Sequence, residues 1–130
     1  ILMLYTYTAV ITESNNVFYA KVPDIDGCIT TGNTLAEAIE LITDALNLCL
    51  TVLEDEDIQP HPATPQSMIP HDPDDVLTII QANTILYRSK TDTKAVRKNV
   101  SLPAWMSNLA DKRGINCSKV LQDALLSVLS

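Results

Sequence analysis

The last third of the chain sets the tightest limit on what it can fold into. Residues 94–130 read KAVRKNVSLPAWMSNLADKRGINCSKVLQDALLSVLS and open with a short extended run, Val96 to Leu102. Val100 and Leu102 alternate with Arg97, Asn99 and Ser101, and the period of a strand puts the two sets on opposite faces. Pro103 stops the strand and suits the first turn of a helix. Trp105, Met106, Leu109 and Ala110 recur at helical spacing on what reads as a core face. Lys112 and Arg113 fill the last turn and Gly114 ends it. Ser118 reads as the N-cap of a second helix, with a stripe of Val120, Leu121, Ala124, Leu125, Val128 and Leu129. So short a strand-helix-helix unit cannot close a core alone, because its strand has unpaired edges and its helices show too much apolar surface. A second copy, pairing strand to antiparallel strand about a twofold axis, meets both needs. The sequence therefore predicts a homodimer through this segment.

The net charge of −7 is unevenly divided. Residues 1–80 hold one basic residue, Lys21, against thirteen acids; residues 81–130 hold eight basic residues against three acids. An acidic front and a basic back suggest two modules with different partners, with a boundary near residue 90: 1–90 and 91–130. The basic end suits nucleic-acid phosphate, whereas the acidic end repels it and suits a basic protein.

Taken in order, Leu4 to Thr12 and Val17 to Val22 read as strands joined by the turn cluster Glu13 to Asn16, a loop longer than the tightest hairpin type. Pro23-Asp24-Ile25-Asp26-Gly27 has turn chemistry, and Cys28 to Thr31 reads as a third short strand. A helix follows, capped by Thr34 and Glu37, with Leu35, Ala38, Ile39, Ile42, Ala45, Leu46, Cys49 and Leu53 on one face. The acidic run Glu54 to Asp57 opposes the helix dipole, so the helix is expected to stop before it or fray there. Five of the seven prolines fall within residues 60–73, which predicts an extended surface connector with no helix or inner strand. Val76 to Ile80 reads as a fourth strand and Thr84 to Lys90 as a short helix. The front module is thus an α+β layer, β-β-β-α-β, and the tail is β-α-α.

Several classes of chemistry find no support. The first two strands carry no Asp or Glu before the turn, so two-metal nuclease ligands are missing from them; Asp24 and Asp26 read as turn residues beside Gly27. His61 and His71 sit among prolines without ligand spacing, so no metal site is expected. No Gly-rich phosphate loop and no Ser/His/Asp arrangement is present, and neither an enzymatic role nor a cofactor is predicted. Cys28, Cys49 and Cys117 read as free thiols of a reducing compartment. No apolar run approaches the roughly 20 residues of a membrane span. The N-terminus, with Ile1 and Leu2 before Met3, shows no secretion signal, so a soluble cytoplasmic protein is expected.

The C-terminal segment resembles the ribbon-helix-helix family of DNA-binding proteins. In that family paired strands enter the major groove, where Arg reads guanine, Asn reads adenine and Ser contacts either. The resemblance implies base contacts from Arg97, Asn99 and Ser101, and phosphate contacts from Lys94, Lys98, Ser118 and Lys119. Lys98 falls on the apolar side of the alternation, with Val96 and Val100.

The front module, with YTAVI and FYAKVPDIDGCITTGNTLAEAIELITDALNLCL, resembles the HicB antitoxin family of bacterial toxin–antitoxin pairs. The shared pattern is Pro-Asp-x-x-Gly-Cys, a short polar strand, Gly-Asn-Thr and a capped helix, and the order of the two modules agrees. The resemblance implies a partial RNase H-like front domain that binds and inhibits a HicA-type toxin, a small basic RNase that cleaves mRNA. It also implies a C-terminal domain that binds operator DNA and represses the operon, with possible assembly beyond a dimer. Candidate toxin contacts are Asp24, Asp26, Cys28, Glu54 and Asp55. Two alternatives stay open: a ribbon-helix-helix repressor with a ligand-sensing front domain, and a metal-dependent RNase H-like nuclease.

Overall fold

The apolar alternation of the N-terminal segment carries a strand further than its β-branched stretch alone suggests. In the computed structural model, which describes residues 4–130, β1 spans Leu4–Ser14, β2 Val17–Lys21, β3 Ile29–Gly32 and β4 Val76–Asn83. Ile1 and Leu2 lie outside the described residues. The strands order β3-β2-β1-β4, every neighbouring pair antiparallel. Ser14 pairs with Val17, which leaves only Asn15 and Asn16 in the β1–β2 turn, with φ of 53° and 64°. The hairpin is therefore the two-residue left-handed type and not the longer loop expected, because asparagine tolerates positive φ and lets both strands extend.

One face of this sheet carries α1, Leu35–Asp55. The Thr34 hydroxyl accepts the Glu37 amide at 3.0 Å, and the Glu37 carboxylate accepts the Asn33 amide at 3.4 Å, so the predicted cap forms. Ala38, Ile42, Leu46 and Leu50 are fully buried against Tyr7, Ala9, Ile11, Ala20, Ile80 and Ala82. Leu50 was not part of the predicted stripe, yet it completes it at four-residue spacing. Burying each Ile or Leu stabilises by about 1.5–3 kcal/mol, so this face is the main source of cohesion in the unit. Gly32 sets how closely α1 approaches β3: a Cβ there would lie 2.7 Å from the Ala38 backbone nitrogen.

α1 continues into the acidic run, to Asp55, where an earlier stop was expected. The reason lies in α2, Thr84–Thr91, which follows β4 directly. Arg88 pairs with Glu54 at 3.1 Å and with Asp55 at 2.9 Å, supplying the cation that the last turn of α1 lacks in its own sequence. The connector contains a single 3-10 turn, Gln66–Met68, although no helix was expected among its prolines. One turn needs only the Met68 amide bonded to the Pro65 carbonyl, at 2.9 Å, and Pro65 precedes it without interrupting any bond.

The described residues divide into two compact units, one ending at Thr91 and one spanning Asp92–Ser130. The second holds α3, Ala104–Lys112, and α4, Cys117–Leu129. Pro103 is the N-cap of α3. Asn116, not Ser118, caps α4, its side chain accepting the Lys119 amide at 3.1 Å. No strand forms between Asp92 and Pro103, contrary to the β-α-α expectation, since in a single chain this segment has no ladder to join. No residue from Asp92 to Ser130 is buried, and Trp105, read as core, is 63% exposed.

Candidate protein and nucleic-acid interfaces

The acids of the N-terminal unit divide into those that hold the fold and those that face solvent. Asp24 leaves the Pro23–Gly27 turn with its side chain 7% exposed. Its two oxygens accept from Thr64, the backbone amide at 2.8 Å and the hydroxyl at 2.6 Å, and His61 Nδ1 stands 3.5 Å away. Tyr7 donates its hydroxyl to the His61 carbonyl, and its phenol is pushed up by burial and then by the Asp24 charge. Asp24 therefore fastens the proline-rich connector to the turn before β3.

Glu54 does the same at the far end of α1, with a side chain also 7% exposed. One oxygen accepts from Tyr5 at 2.8 Å and Thr84 at 2.9 Å; the other accepts from Arg88 at 3.1 Å. Burial and then the Glu54 hydrogen bond push the Tyr5 phenol up to about 12. Cys28 is fully buried in the core, and its thiol is pushed up to about 12 by burial and then by the adjacent Cys49.

The five candidate toxin contacts thus differ in their surroundings. Cys28 is buried, and the Asp24 and Glu54 side chains are largely covered and engaged by Thr64, and by Tyr5, Thr84 and Arg88, although Asp24 still borders a groove on the surface. Asp26 is exposed, and the Asp55 side chain is 62% exposed while paired with Arg88. Sequence reasoning missed Thr64, Tyr5, Thr84 and Arg88 because their partners lie thirty or more residues away.

It also passed over an outer stripe on α1. Leu41, Leu48 and Val52 are 39%, 53% and 46% exposed, spaced seven and four residues apart on the side away from the buried face. Their helical spacing was legible, but they fall outside the core stripe. Leu48 and Val52 line a groove of about 620 Å³ closed by Pro23, Asp26, Gln59 and Pro60. On the opposite side of the sheet lies a second exposed apolar set, Tyr19, Ile29 and Ile79, with Lys21 beside Tyr19 and Ile29.

In the C-terminal unit Lys94, Arg97, Asn99 and Ser101 are all exposed. Lys98 lines a groove of about 420 Å³ with Val100, Leu102, Met106 and Val120, so it sits on the apolar side of the segment. Ser118 lines the same groove, away from the cap role given to it. The Lys119 amide bonds Asn116 and its ammonium pairs with Asp123 at 2.7 Å. That exposed pair is worth a few tenths of a kcal/mol, too little to hold Lys119 from another anion.

Among the described residues no group of three or more His, Cys, Asp or Glu gathers as a metal site, and no helix is long and apolar enough to cross a membrane.

Comparison with known proteins agrees over nearly the whole chain. A chain of a toxin–antitoxin complex from Streptococcus pneumoniae is similar, with a TM-score of 0.61 at 18% identity, over 96% of this chain and 99% of that one. The antitoxin HicB of Burkholderia pseudomallei is similar with a TM-score of 0.54 at 21% identity, over 97% and 99%. Antitoxin HicB3 matches with a TM-score of 0.51 at 25% identity, over 93% and 95%. The first two likenesses speak to fold. No curated protein sequence matches. A family model, that of a HicB-like antitoxin of bacterial toxin–antitoxin systems, matches residues 7–124. An α+β sheet with a capped helix on one face, a basic two-helix tail and this match make the chain a member of the HicB-like antitoxin family, a family of antitoxins and not of enzymes.

Proposed function

We propose that this chain neutralises a HicA-type toxin, a small basic mRNA-cleaving protein, through residues 1–90, and represses its own operon through residues 91–130. The front unit serves as a partial RNase H-like scaffold that docks the toxin, with Asp26 and Asp55 among the exposed acids facing it. The tail acts as a ribbon-helix-helix dimer: two copies of the 96–102 segment pair in the operator's major groove. Arg97, Asn99 and Ser101 read base edges there, and Lys94 and Lys119 lie near phosphates. Lys98 and Ser118, on the apolar side, belong to the dimer contact more than to DNA.

One observation carries the reading. A unit in which no side chain is fully buried, with Trp105, Leu125 and Leu129 63%, 43% and 52% exposed, leaves unused a good part of the roughly 1.5–3 kcal/mol that full burial of each large apolar group supplies. A second copy supplies the missing core and, in the same step, the missing strand partner. The toxin-facing role rests on family membership and on the acidic front.

The test is co-expression with the product of the adjacent reading frame, followed by co-purification and titration onto DNA from the operon's own promoter. Rescue of growth and a retarded promoter fragment are the expected results; a chain that binds neither would overturn the proposal. Within it, Arg97→Ala weakens promoter binding at fixed salt by about 1–3 kcal/mol, and an unchanged titration curve removes Arg97 from the base-reading set.

A further inference from the structure

We infer that the toxin docks on the outer side of α1, with its apolar contact seated on Leu48 and Val52 and its basic rim facing Asp26, Asp44, Glu56 and Asp57. This rests on the antitoxin reading and narrows it to one surface. Two of the exposed apolar faces of the N-terminal unit differ in their charge. The sheet face of Tyr19, Ile29 and Ile79 carries Lys21, the one basic residue among the first eighty, threonines along β1 and β3, and at its edge Asp75, which accepts from the Thr12 hydroxyl and feels the Lys21 charge. The α1 face is rich in carboxylates. Asp26 stands across the groove of Leu48 and Val52, Glu56 and Asp57 follow the helix end, and Asp44, between Leu41 and Leu48 in sequence, borders a neighbouring groove that also holds Glu40 and a single cation, Lys90. Asp26, Asp44, Glu56 and Asp57 are exposed and form no ion pair among the described residues, whereas Glu54 and Asp55 are engaged by Arg88.

A basic partner meets a net surplus of acid on the α1 face, where Asp26, Asp44, Glu56 and Asp57 outnumber Lys90, and near balance on the other, where Lys21 faces Asp75. An exposed apolar stripe within a mainly acidic rim has the form of an interface: a water-excluding centre and charges that steer encounter. The groove also has firm walls. The Pro23–Asp26 turn and the connector at His61 are tied together through Asp24 and Thr64, so the partner meets a preformed surface. Nucleic acid is excluded as the occupant by the same carboxylates.

The experiment measures binding of the full-length chain to the purified product of the adjacent reading frame. Variants are Leu48→Asp with Val52→Asp, Ile29→Asp, and Asp44→Lys with Glu56→Lys. All substituted positions are exposed, and thermal melts confirm that each variant folds. The apolar double variant is expected to lose at least a hundredfold in affinity, and Ile29→Asp less than threefold. The charge-reversed variant is expected to associate roughly tenfold more slowly at low salt and to lose most of its salt dependence. If Ile29→Asp abolishes binding while the α1 variants bind normally, the docking face is the sheet and the inference is overturned. Overturning it equally would be an α1 double variant that binds toxin normally but changes oligomeric state, since a second copy then occupies the groove. A wild-type chain that binds no toxin defeats the antitoxin reading itself, a result distinct from either.

Discussion

Glu54 shows how a single side chain can be misplaced by sequence alone. In the run Glu54-Asp55-Glu56-Asp57 it is indistinguishable from its neighbours, yet it alone turns inward to accept from Tyr5, Thr84 and Arg88. Removing it takes away a nearly buried acceptor that the Tyr5 and Thr84 hydroxyls share, and one of the two carboxylates on Arg88, which keeps Asp55 and the Thr51 carbonyl. Glu54→Ala should therefore destabilise the fold by about 3 kcal/mol in urea titration, whereas Glu56→Ala should lie within about 0.5 kcal/mol of wild type. The same contact fixes a pH response. The Tyr5 phenol, ordinarily near 10, is held at about 12, so the folded state favours its protonated form. Its contribution is whole below pH 10 and is lost as pH rises from 10 towards 12. Alkaline unfolding should steepen across that interval in wild type and flatten in Tyr5→Phe.

At the scale of elements, α1 is held at its C-terminal end from outside. A helix ending in four acids and no cation should fray, as its sequence suggests, but Arg88 is brought to it by the short β4–α2 junction. Arg88→Ala should release the last turn, and hydrogen exchange of the amides of Glu56 and Ile58, bonded to Val52 and Leu53, should accelerate by at least tenfold while those near Leu46 keep their protection. Unchanged protection at Ile58 would show that the turn is held by the α1–sheet contact alone. This element also marks what the sequence disclosed. Local signals were legible: the Thr34–Glu37 cap, the period of α1, the alternation of the strands and the proline-bearing connector. What escaped was everything decided by distant partners. Asp24 looked like turn chemistry, but Thr64 makes it a clamp; Cys28 looked like a contact, but α1 buries it. The two-residue hairpin was missed for a different reason, since asparagine at both turn positions permits left-handed backbone without requiring it.

For the whole molecule, the two units differ in what they need from other chains. Through Thr91 the protein has its own buried core; from Asp92 onward it has none. Cutting the chain after Thr91 should therefore leave a folded monomer that still neutralises the toxin, while operator binding disappears. The full chain should sediment as a dimer or a multiple of one, and its operator occupancy should rise more steeply than first order at protein concentrations below the dimer's own dissociation constant. The steepness follows from geometry: one tail presents one unpaired segment, and only the pair offers both a groove-filling ribbon and two sets of phosphate contacts on a twofold site. If the full chain stays monomeric at concentrations that saturate the operator, the apolar faces of α3 and α4 must be covered in some other way, and the tail would then read DNA, if it does, without a ribbon. If the truncated chain loses toxin neutralisation while keeping its melting transition, the tail takes part in toxin binding and the division of labour between the units fails.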